Sequence, residues 1–268
     1  MPYTHVSIER SFQDKIATIT MRRGEVHNAF NGQLIQDLQS AFSDLATDEK
    51  LHAVVLTGDG PSFSAGADLS MMKESALLTQ EQNANDALHL ADLFDTINAF
   101  PCPVVARVNG TAMGGGVGLI AVCDIVIAAE NARMAFSEVK LGIAPAVISP
   151  YVVRKIGETH ARVLFVTGER FSPVRAREIG LVHTVVPREE LDSAVEKTVH
   201  ELLSSGPLAL RACKALALNI GYMDHDTARK YTAQTIAALR VSPEGQEGLR
   251  SFLEKRKPDW VINLEATR

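Results

Sequence analysis

Three largely apolar runs constrain the fold of this chain more than any other feature of its sequence. They are AVVLTG (53–58), PVVARV (103–108) and DIVIAAE (124–130), and segments of helical or glycine-rich character separate them. A strand that is apolar on both faces must be covered on both faces, as parallel strands are when helices flank the sheet. We therefore predict an α/β fold in which the first half of the chain alternates strands and helices.

Further elements follow from the spacing of apolar residues around these runs. Residues 4–10 and 15–22 alternate apolar and polar side chains and are separated by turn-forming residues, which indicates an antiparallel pair of strands. After Asn31, apolar residues recur at intervals of three and four through Leu45, which predicts an amphipathic helix. A second helix is predicted over 86–99.

The character of the chain changes after about residue 149. Short helical pieces punctuated by glycine and proline lead to one last strand, LVHTVVP (181–187), and three amphipathic helices follow it. These helices offer too little apolar surface for a core of their own, so we expect them to pack on a neighbouring subunit. We predict that residues 1–200 form the core with the functional site and that 201–268 form a helical oligomerisation region.

Charge, hydropathy and cysteine usage exclude several functional classes. The 268 residues carry a formal net charge of −5, which argues against a nucleic-acid-binding surface. The longest apolar run, VGLIAVC, is far shorter than the roughly 20 residues of a membrane span, and the N-terminus lacks the pattern of a signal peptide. The three cysteines show no metal-binding spacing and predict free thiols. We therefore expect a cytoplasmic protein with no metal, membrane or nucleic-acid partner.

Two glycine-rich loops after predicted strands are candidates for binding an anion or a polarised carbonyl group. The first is GDGPSFSAGADLSMM (58–72), in which Asp68 is a candidate N-cap for the following helix, and the second is TAMGGGVGLI (111–120). Glycines let backbone N–H groups approach a ligand, and two such loops can direct two donors at one oxygen, as in an oxyanion hole. A plain strand-to-helix loop and close helix packing are the alternatives.

Glu138 lies among apolar residues in MAFSEVKLGIAP (134–145). Burial of a carboxylate among such neighbours disfavours its charged form and would raise its pKa toward the range useful for proton transfer. The alternative is a surface glutamate paired with Lys140 or with an arginine. Both interpretations remain open from the residues alone.

Taken together, these segments resemble the crotonase (enoyl-CoA hydratase/isomerase) superfamily. The matching stretches are FSAGADLSMM, NGTAMGGGVGLIAVCDIVIA and FSEVKLGIAP, with VHNAF near the start and FLEKRKP near the end. The resemblance implies a crotonase-like ββα spiral core with a C-terminal helical trimerisation region, in a homotrimer or a homohexamer built as a dimer of trimers. It also implies an enzyme that takes an acyl-CoA thioester as substrate and holds no permanent cofactor.

The same resemblance assigns roles to individual residues. The backbone N–H groups of Ala67 and Gly115 would hold the thioester carbonyl oxygen, and Glu138 would be the catalytic acid–base. The other implied contacts with the acyl-CoA fall in the two glycine loops and near the C-terminus: Ala65, Gly66, Asp68, Leu69, Gly114, Gly118, Phe252 and Lys255. Phe252 and Lys255 match positions that often reach the CoA of a neighbouring subunit.

Two departures from the family pattern bear on the reaction. Gly118 stands where the first of two catalytic glutamates is expected, and PAVISPYVVRKIG replaces the usual glycine-rich run. These departures look most like bacterial 3-methylglutaconyl-CoA hydratases of leucine degradation and their relatives. We therefore expect hydration of a 2-enoyl-CoA with Glu138 as a single acid–base. Δ3,Δ2-enoyl-CoA isomerisation and a catalytically inactive CoA-thioester binder are the alternatives.

With a single acid–base, the attacking water needs a second partner. A backbone carbonyl, Glu74 and a carboxylate of the substrate itself are the three candidates, and the sequence does not choose among them. A carboxylated substrate would also favour a cation in the pocket. Arg154 is the candidate, with an arginine on the surface of a helix as the alternative.

Overall fold

The computed structural model describes residues 3–261, and within them the chain forms ten strands and ten α-helices. The strands are β1 (Val6–Ser11), β2 (Ile16–Met21), β3 (Ala53–Gly58), β4 (Ser62–Ser64), β5 (Val104–Val108), β6 (Thr111–Met113), β7 (Ile125–Ala129), β8 (Met134–Ala135), β9 (Arg170–Phe171) and β10 (Thr184–Val186). The helices are α1 (Gly32–Ala46), α2 (Leu69–Ser75), α3 (Gln80–Asn98), α4 (Gly115–Val122), α5 (Ser149–Thr167), α6 (Pro173–Glu178), α7 (Leu191–Leu203), α8 (Pro207–Asn219), α9 (His225–Val241) and α10 (Pro243–Leu253).

The larger sheet has six strands in the order β1-β2-β3-β5-β7-β10. β1 and β2 are antiparallel, and the other neighbouring pairs are parallel. Alternate residues of β3 enter two different hydrophobic cores: Val54 and Leu56 belong to the main core, and Val55 belongs to a smaller cluster with Leu191 and Val195 of α7. Both faces of the sheet are therefore covered, and the predicted α/β fold is confirmed.

A second, smaller sheet has the order β4-β6-β8-β9 and was not expected from the sequence. Its strands contain only two or three residues each, which is too short for an alternation of apolar and polar side chains to be recognised. β4, β6 and β8 are parallel, so their carboxyl ends meet at one edge. Ligands of parallel sheets commonly bind beyond such an edge.

Two helices differ from the sequence expectations in extent. The helix expected over 86–99 begins at Gln80, because the side chains of Thr79 and Gln82 each accept a hydrogen bond from the other's backbone N–H. The first turns of this helix are polar, so periodicity alone could not locate its start. In α5, two predicted pieces form one element across a break at Gly157, whose φ of 73° lies in the region that favours glycine.

Helices α8 to α10 bury far less of their surface than the rest of the fold. Among their residues, all of which the structure describes, only Lys214 and Ser251 are buried, whereas Val241 and Phe252 are about four-fifths exposed. A region with so little buried surface depends on contacts with other parts of the protein, or with another chain, for its stability. No helix within the described residues has both the length and the apolar character needed to cross a membrane.

Candidate active site

Three segments at the carboxyl edge of the smaller sheet line a cavity of about 200 Å³. They are 65–67, 114–115 and 137–138, and each lies just beyond a strand of that sheet. Of the described residues that line the cavity, only Ser137 and Glu138 have polar side chains, and Glu138 is the only ionisable one. The site is therefore an apolar cavity with a few converging polar groups, which is the usual form of a small-molecule site.

The first segment presents the backbone N–H of Ala67. Phe30 N–H donates to the Gly66 carbonyl at 2.6 Å, and Asp68 N–H donates to the Phe30 carbonyl at 2.9 Å, so this segment pairs with Phe30 as a strand would. In a strand pairing of this kind, the residue between two bonded residues directs its own backbone groups to the opposite side. Ala67 N–H accordingly faces away from Phe30, and it donates no hydrogen bond within residues 3–261.

The second segment presents the backbone N–H of Gly115, the first residue of α4. Gly114, with φ of 49° and ψ of −119°, turns the chain from β6 into this helix. First-turn N–H groups have no acceptor in their own helix, and Gly115 N–H donates to none of the described residues. A Cβ atom on Gly66 would lie 3.4 Å from the Gly115 nitrogen, so the two segments touch. The N–H groups of Ala67 and Gly115 therefore lie on two segments that are in contact at the cavity, and their binding of one ligand oxygen stays a prediction.

Close contacts explain why three glycines occur in succession at the start of α4. A Cβ atom at Gly115 would lie 2.6 Å from the Phe30 ring, and one at Gly116 would lie 2.3 Å from the Ser64 carbonyl oxygen. At Gly114 the nearest atom would be Glu138 Oε1, at 2.9 Å. Each glycine therefore lets a different part of the site approach the helix. The close-packing interpretation therefore holds at all three glycines, and binding of a ligand by the Gly115 N–H stays a prediction.

The third segment is the 3₁₀ turn Ser137–Leu141, which follows β8 and presents Glu138. Its carboxyl group lies next to Gly114, and Oε2 is buried without a hydrogen-bond partner among the described residues. Burial raises the pKa of Glu138, and the backbone N–H of Glu138 itself offsets only part of this rise. The expected rise in pKa is confirmed, and an ion pair with Lys140 or an arginine is not found within residues 3–261.

Asp68 lies just outside the cavity and stabilises the segment that contains Ala67. Its carboxyl group accepts hydrogen bonds from the N–H groups of Ser70 and Met71, which confirms the predicted N-cap of α2, and it pairs with Arg23 at 3.0 Å. Hydrogen bonds from the Ser70 hydroxyl and the Arg23 guanidinium lower the pKa of Asp68 to about 2. Arg23 also donates to the Ala29 carbonyl, so this ion pair fastens the two paired segments together.

Gly118 does not line the cavity, although the sequence indicated it as a position near the substrate. It lies inside α4, and a Cβ atom there would lie 2.3 Å from Ile148 Cγ2 and 3.1 Å from Phe94 Cε1. Ile148 itself lines the cavity and is 3% exposed. The space that a side chain at position 118 would need is therefore filled by a residue of the opposite wall.

The remaining candidate residues lie away from the cavity. Leu69, Phe252 and Lys255 are exposed and do not line it, and a contact of Phe252 and Lys255 with a neighbouring subunit's CoA stays a prediction. Glu74 is exposed on α2 and does not line the cavity either. Arg154 lies in a different cavity, of about 550 Å³, with its guanidinium 4.8 Å from the centre of the Tyr222 ring.

Sequence reasoning missed several apolar residues that form the cavity wall: Phe30, Leu90, Val147 and Ile148. Phe30 ends the VHNAF stretch, which resembles the crotonase superfamily but gave no indication that Phe30 lines a cavity. The other three carried no recognisable signal, because an apolar residue in a helix or loop has the same appearance whether it packs in the core or faces a ligand.

Within the described residues there is also no cluster of three or more His, Cys, Asp or Glu residues arranged to hold a metal ion.

The chain is similar to known proteins along nearly its whole length. The sequence pattern of the family described as Enoyl-CoA hydratase/isomerase matches residues 11–263. The crotonyl-CoA hydratase of Syntrophomonas wolfei subsp. wolfei is 34% identical over 264 residues, which cover 97% of this chain and 99% of that protein. The 2,3-dehydroadipyl-CoA hydratase of Escherichia coli (strain K12) is 32% identical over 251 residues, which cover 93% of this chain and 96% of that protein.

A solved structure agrees with these matches. The crystal structure of an enoyl-CoA hydratase from Shewanella pealeana superimposes with a TM-score of 0.91 at 38% sequence identity, and the match covers 96% of each chain. A likeness of this extent includes both sheets and the helices that follow them, because so little of either chain lies outside it. The α/β architecture is therefore shared over 96% of each chain.

Proposed function

The chain belongs to the enoyl-CoA hydratase/isomerase (crotonase) family, and on that premise we propose that it catalyses the reversible hydration of a 2-enoyl-CoA. Enzymes of this family act on coenzyme A thioesters and need no permanently bound cofactor. The observation that carries the proposal is the convergence of two backbone donors and one buried carboxyl group in a single apolar cavity. These are the groups that a thioester enolate and its protonation require.

In the proposed complex, the N–H groups of Ala67 and Gly115 donate to the thioester carbonyl oxygen. Addition of water at Cβ moves negative charge onto this oxygen, so the two donors stabilise the transition state more than the ground state. Removing one donor of this kind typically raises the barrier by about 3 kcal/mol. Ala65, Gly66 and Gly114 adjoin the thioester, and Asp68 and Leu69 lie on the side from which the rest of the CoA enters.

Glu138 is the acid–base of the proposed reaction. It takes a proton from the attacking water or delivers the proton that Cα gains, and a carboxyl group with a raised pKa is suited to both steps. The second partner for the water is then a backbone carbonyl or a carboxylate of the substrate. Glu74 loses support as that partner, because its side chain is exposed and lies outside the cavity lining.

For the acyl group, we propose the 3-methylglutaconyl type that the sequence resemblance suggests, with leucine degradation as its setting. No arginine or lysine is among the described residues that line the cavity, so a substrate carboxylate there would lack a cationic partner. The cation that a carboxylated substrate would favour is therefore not found among these lining residues, and Arg154 lines a different cavity. Because burying an unpaired carboxylate costs free energy, the support for this acyl group is the sequence resemblance alone.

The test is turnover by the Glu138→Gln variant, which keeps the size of the side chain but cannot accept or release a proton. We expect kcat for hydration to fall by about 10²–10⁴-fold, since this is the usual contribution of a general acid–base. Binding of a saturated acyl-CoA should persist, as measured by calorimetry. Glu74→Gln is the matched control and should keep its activity. Turnover of Glu138→Gln near that of the unmodified enzyme would remove Glu138 from the mechanism.

A second candidate, Δ3,Δ2-enoyl-CoA isomerisation, is favoured by the presence of a single ionisable side chain in the cavity lining. One carboxylate can take a proton from Cα and return it to Cγ while the double bond moves, without any water. The two candidates are separated by supplying 3-hexenoyl-CoA, crotonyl-CoA and 3-methylglutaconyl-CoA in parallel. If 2-hexenoyl-CoA accumulates and neither of the other thioesters is hydrated, the enzyme is an isomerase and the proposed hydratase activity is wrong.

We also propose that residues 201–268 assemble the chain into a homotrimer or a dimer of trimers. The exposed apolar side chains of α9 and α10, Val241 and Phe252 among them, support this role. Phe252 and Lys255 would then reach the CoA bound to a neighbouring subunit. The mass in solution, measured by light scattering, tests the assembly.

Cys102 and Cys123 are buried free thiols, which supports a reducing, cytoplasmic location.

A further inference from the structure

Ile148 is fixed firmly at the wall of the cavity. It is the residue before the first turn of α5, and its carbonyl oxygen accepts a hydrogen bond from Val152 N–H at 3.1 Å. In the same turn, the Tyr151 hydroxyl donates to Asp95 Oδ1 of α3 at 2.5 Å. The start of α5 is therefore tied to α3, and the Ile148 side chain has little freedom to move away from the cavity.

Ile148 and position 118 compete for the same space. A Cβ atom on Gly118 would come within 2.3 Å of Ile148 Cγ2, and the aromatic ring of Phe94 closes the other side at 3.1 Å. Real Cβ atoms essentially never approach another heavy atom so closely. A side chain at position 118 and an isoleucine at 148 thus exclude each other in this backbone.

The distance between the Gly115 N–H and the contact of Ile148 with α4 follows from the rise of the helix. Gly118 follows Gly115 by almost one helical turn, so Ile148 faces the helix about 5 Å beyond the N–H that would bind the thioester oxygen. That distance corresponds to a few carbon–carbon bonds of an acyl chain. Leu90 and Val147 line the same cavity, so the chain would meet a continuous apolar wall there.

We propose that Ile148 is the residue that sets the acyl-chain length limit of this enzyme, and that Gly118 is the counterpart that makes room for it. The proposal rests on the proposed function, because it assumes that an acyl-CoA occupies the cavity. If this proposal holds, the enzyme prefers substrates with short acyl groups. The absence of a side chain at position 118 then affects substrate choice because it leaves room for Ile148.

The test compares three purified full-length proteins: the unmodified enzyme, Ile148→Ala and Val152→Ala. Val152 is fully buried in the same helix and does not line the cavity, so its truncation controls for lost packing. The measured quantity is the ratio of kcat/KM for trans-2-octenoyl-CoA to that for crotonyl-CoA. We expect this ratio to rise about tenfold or more in Ile148→Ala only, because each methylene in an apolar pocket changes selectivity by about 10–200-fold. An unchanged ratio in Ile148→Ala would overturn the proposal.

Two further measurements separate a failure of this proposal from a failure of the proposed function. Calorimetric Kd values for butyryl-CoA and octanoyl-CoA report the length limit without any turnover, and the ratio should shift towards octanoyl-CoA in Ile148→Ala. Thermal unfolding of Gly118→Ala, Ile148→Ala and the double variant forms a cycle, in which the double variant should lose less stability than the sum of the single ones. If the losses of stability in the two single variants simply add up in the double variant, position 118 and Ile148 do not compete for the same space. This conclusion holds whether or not the protein hydrates any enoyl-CoA.

Discussion

The two walls of the cavity are built in different ways, although both take part in the same proposed reaction. The donor wall, residues 65–67 and 114–115, presents backbone N–H groups and lies in close contact with Phe30. The acyl wall, residues 137–148, presents side chains, and two of them, Leu141 and Ile143, are about 60% exposed. Backbone donors need an unvarying local geometry, whereas side chains on a partly exposed wall can change without disturbing the fold. The two backbone donors thus lie in one wall, whereas the proposed acid–base, Glu138, and the proposed limit on the acyl group, Ile148, both lie in the other.

Two carboxyl groups near these walls show the same contrast. Asp68, next to the donor wall, accepts hydrogen bonds from Ser70 and Arg23 that lower its pKa to about 2. Burial of Glu138 in the acyl wall has the opposite effect and raises its pKa. A carboxylate held in its charged form by its partners stabilises structure, whereas one with an unpartnered oxygen is available to exchange protons. We therefore expect Asp68 to support the site and Glu138 to act in it.

Within the donor wall, the largest expected effect comes from a substitution at Gly115. In Gly115→Ala, the new Cβ atom overlaps the Phe30 ring, so the N–H of residue 115 shifts from its position. We expect kcat for hydration to fall by about 10²–10³-fold, as when one donor of an oxyanion hole is lost. Gly32→Ala is the control, because a Cβ atom at that position would meet nothing within 4 Å. A Gly115→Ala enzyme with unchanged kcat would show that this N–H does not contact the reacting oxygen.

The donor wall was also the more predictable of the two from the sequence. Its glycines stand out after strand-like runs, and Asp68 has the position of a helix cap, so both loops and the cap could be predicted. The long strands β3, β5 and β7 were predictable for a related reason, since each is largely apolar over five or six residues. Signals of this kind are local, and they survive without any knowledge of the fold.

The acyl wall could not be predicted in the same way, because its key contact joins residues far apart in the chain. Gly118 meets Ile148 only once α4 packs against the start of α5, and nothing in the sequence near either residue indicates that contact. The four short strands of the smaller sheet were missed for a similar reason, as each one is defined by its partner more than by its own residues. Glu138 was an intermediate case, with apolar neighbours that indicated burial but not what the carboxyl group faces.

A moderate effect is expected from Asp68→Ala, which removes both the cap of α2 and the ion pair with Arg23. We expect a loss of about 1 kcal/mol in the free energy of unfolding at pH 7, measured with urea. Asp68→Asn is the matched variant, because asparagine keeps the cap but loses the charge. A folded-state pKa below the ordinary value of 3.8 stabilises the protein above that pH, and the benefit is lost as the pH falls towards 2. The stability gap between Asp68→Asn and the unmodified protein should therefore narrow in acid, and a gap that widens would contradict the ion pair.

The smallest expected effect is the contribution of Glu138 to the pH dependence of the protein's stability. It tests the contrast between Asp68 and Glu138 most directly. Because its folded-state pKa is raised above the ordinary value of 4.5, the folded protein binds more protons than the unfolded chain between these two values, so stability is lost as the pH rises through them. Glu138→Gln carries no charge at any pH and should become more stable relative to the unmodified protein as the pH increases from about 4.5 to 8. The Tm difference between the two proteins measures this change, and Glu74→Gln corrects for replacing an exposed glutamate. A Tm difference that stays constant or shrinks over this range would mean that the Glu138 carboxylate is well solvated, and the acyl wall would then lose its one proton-exchanging group.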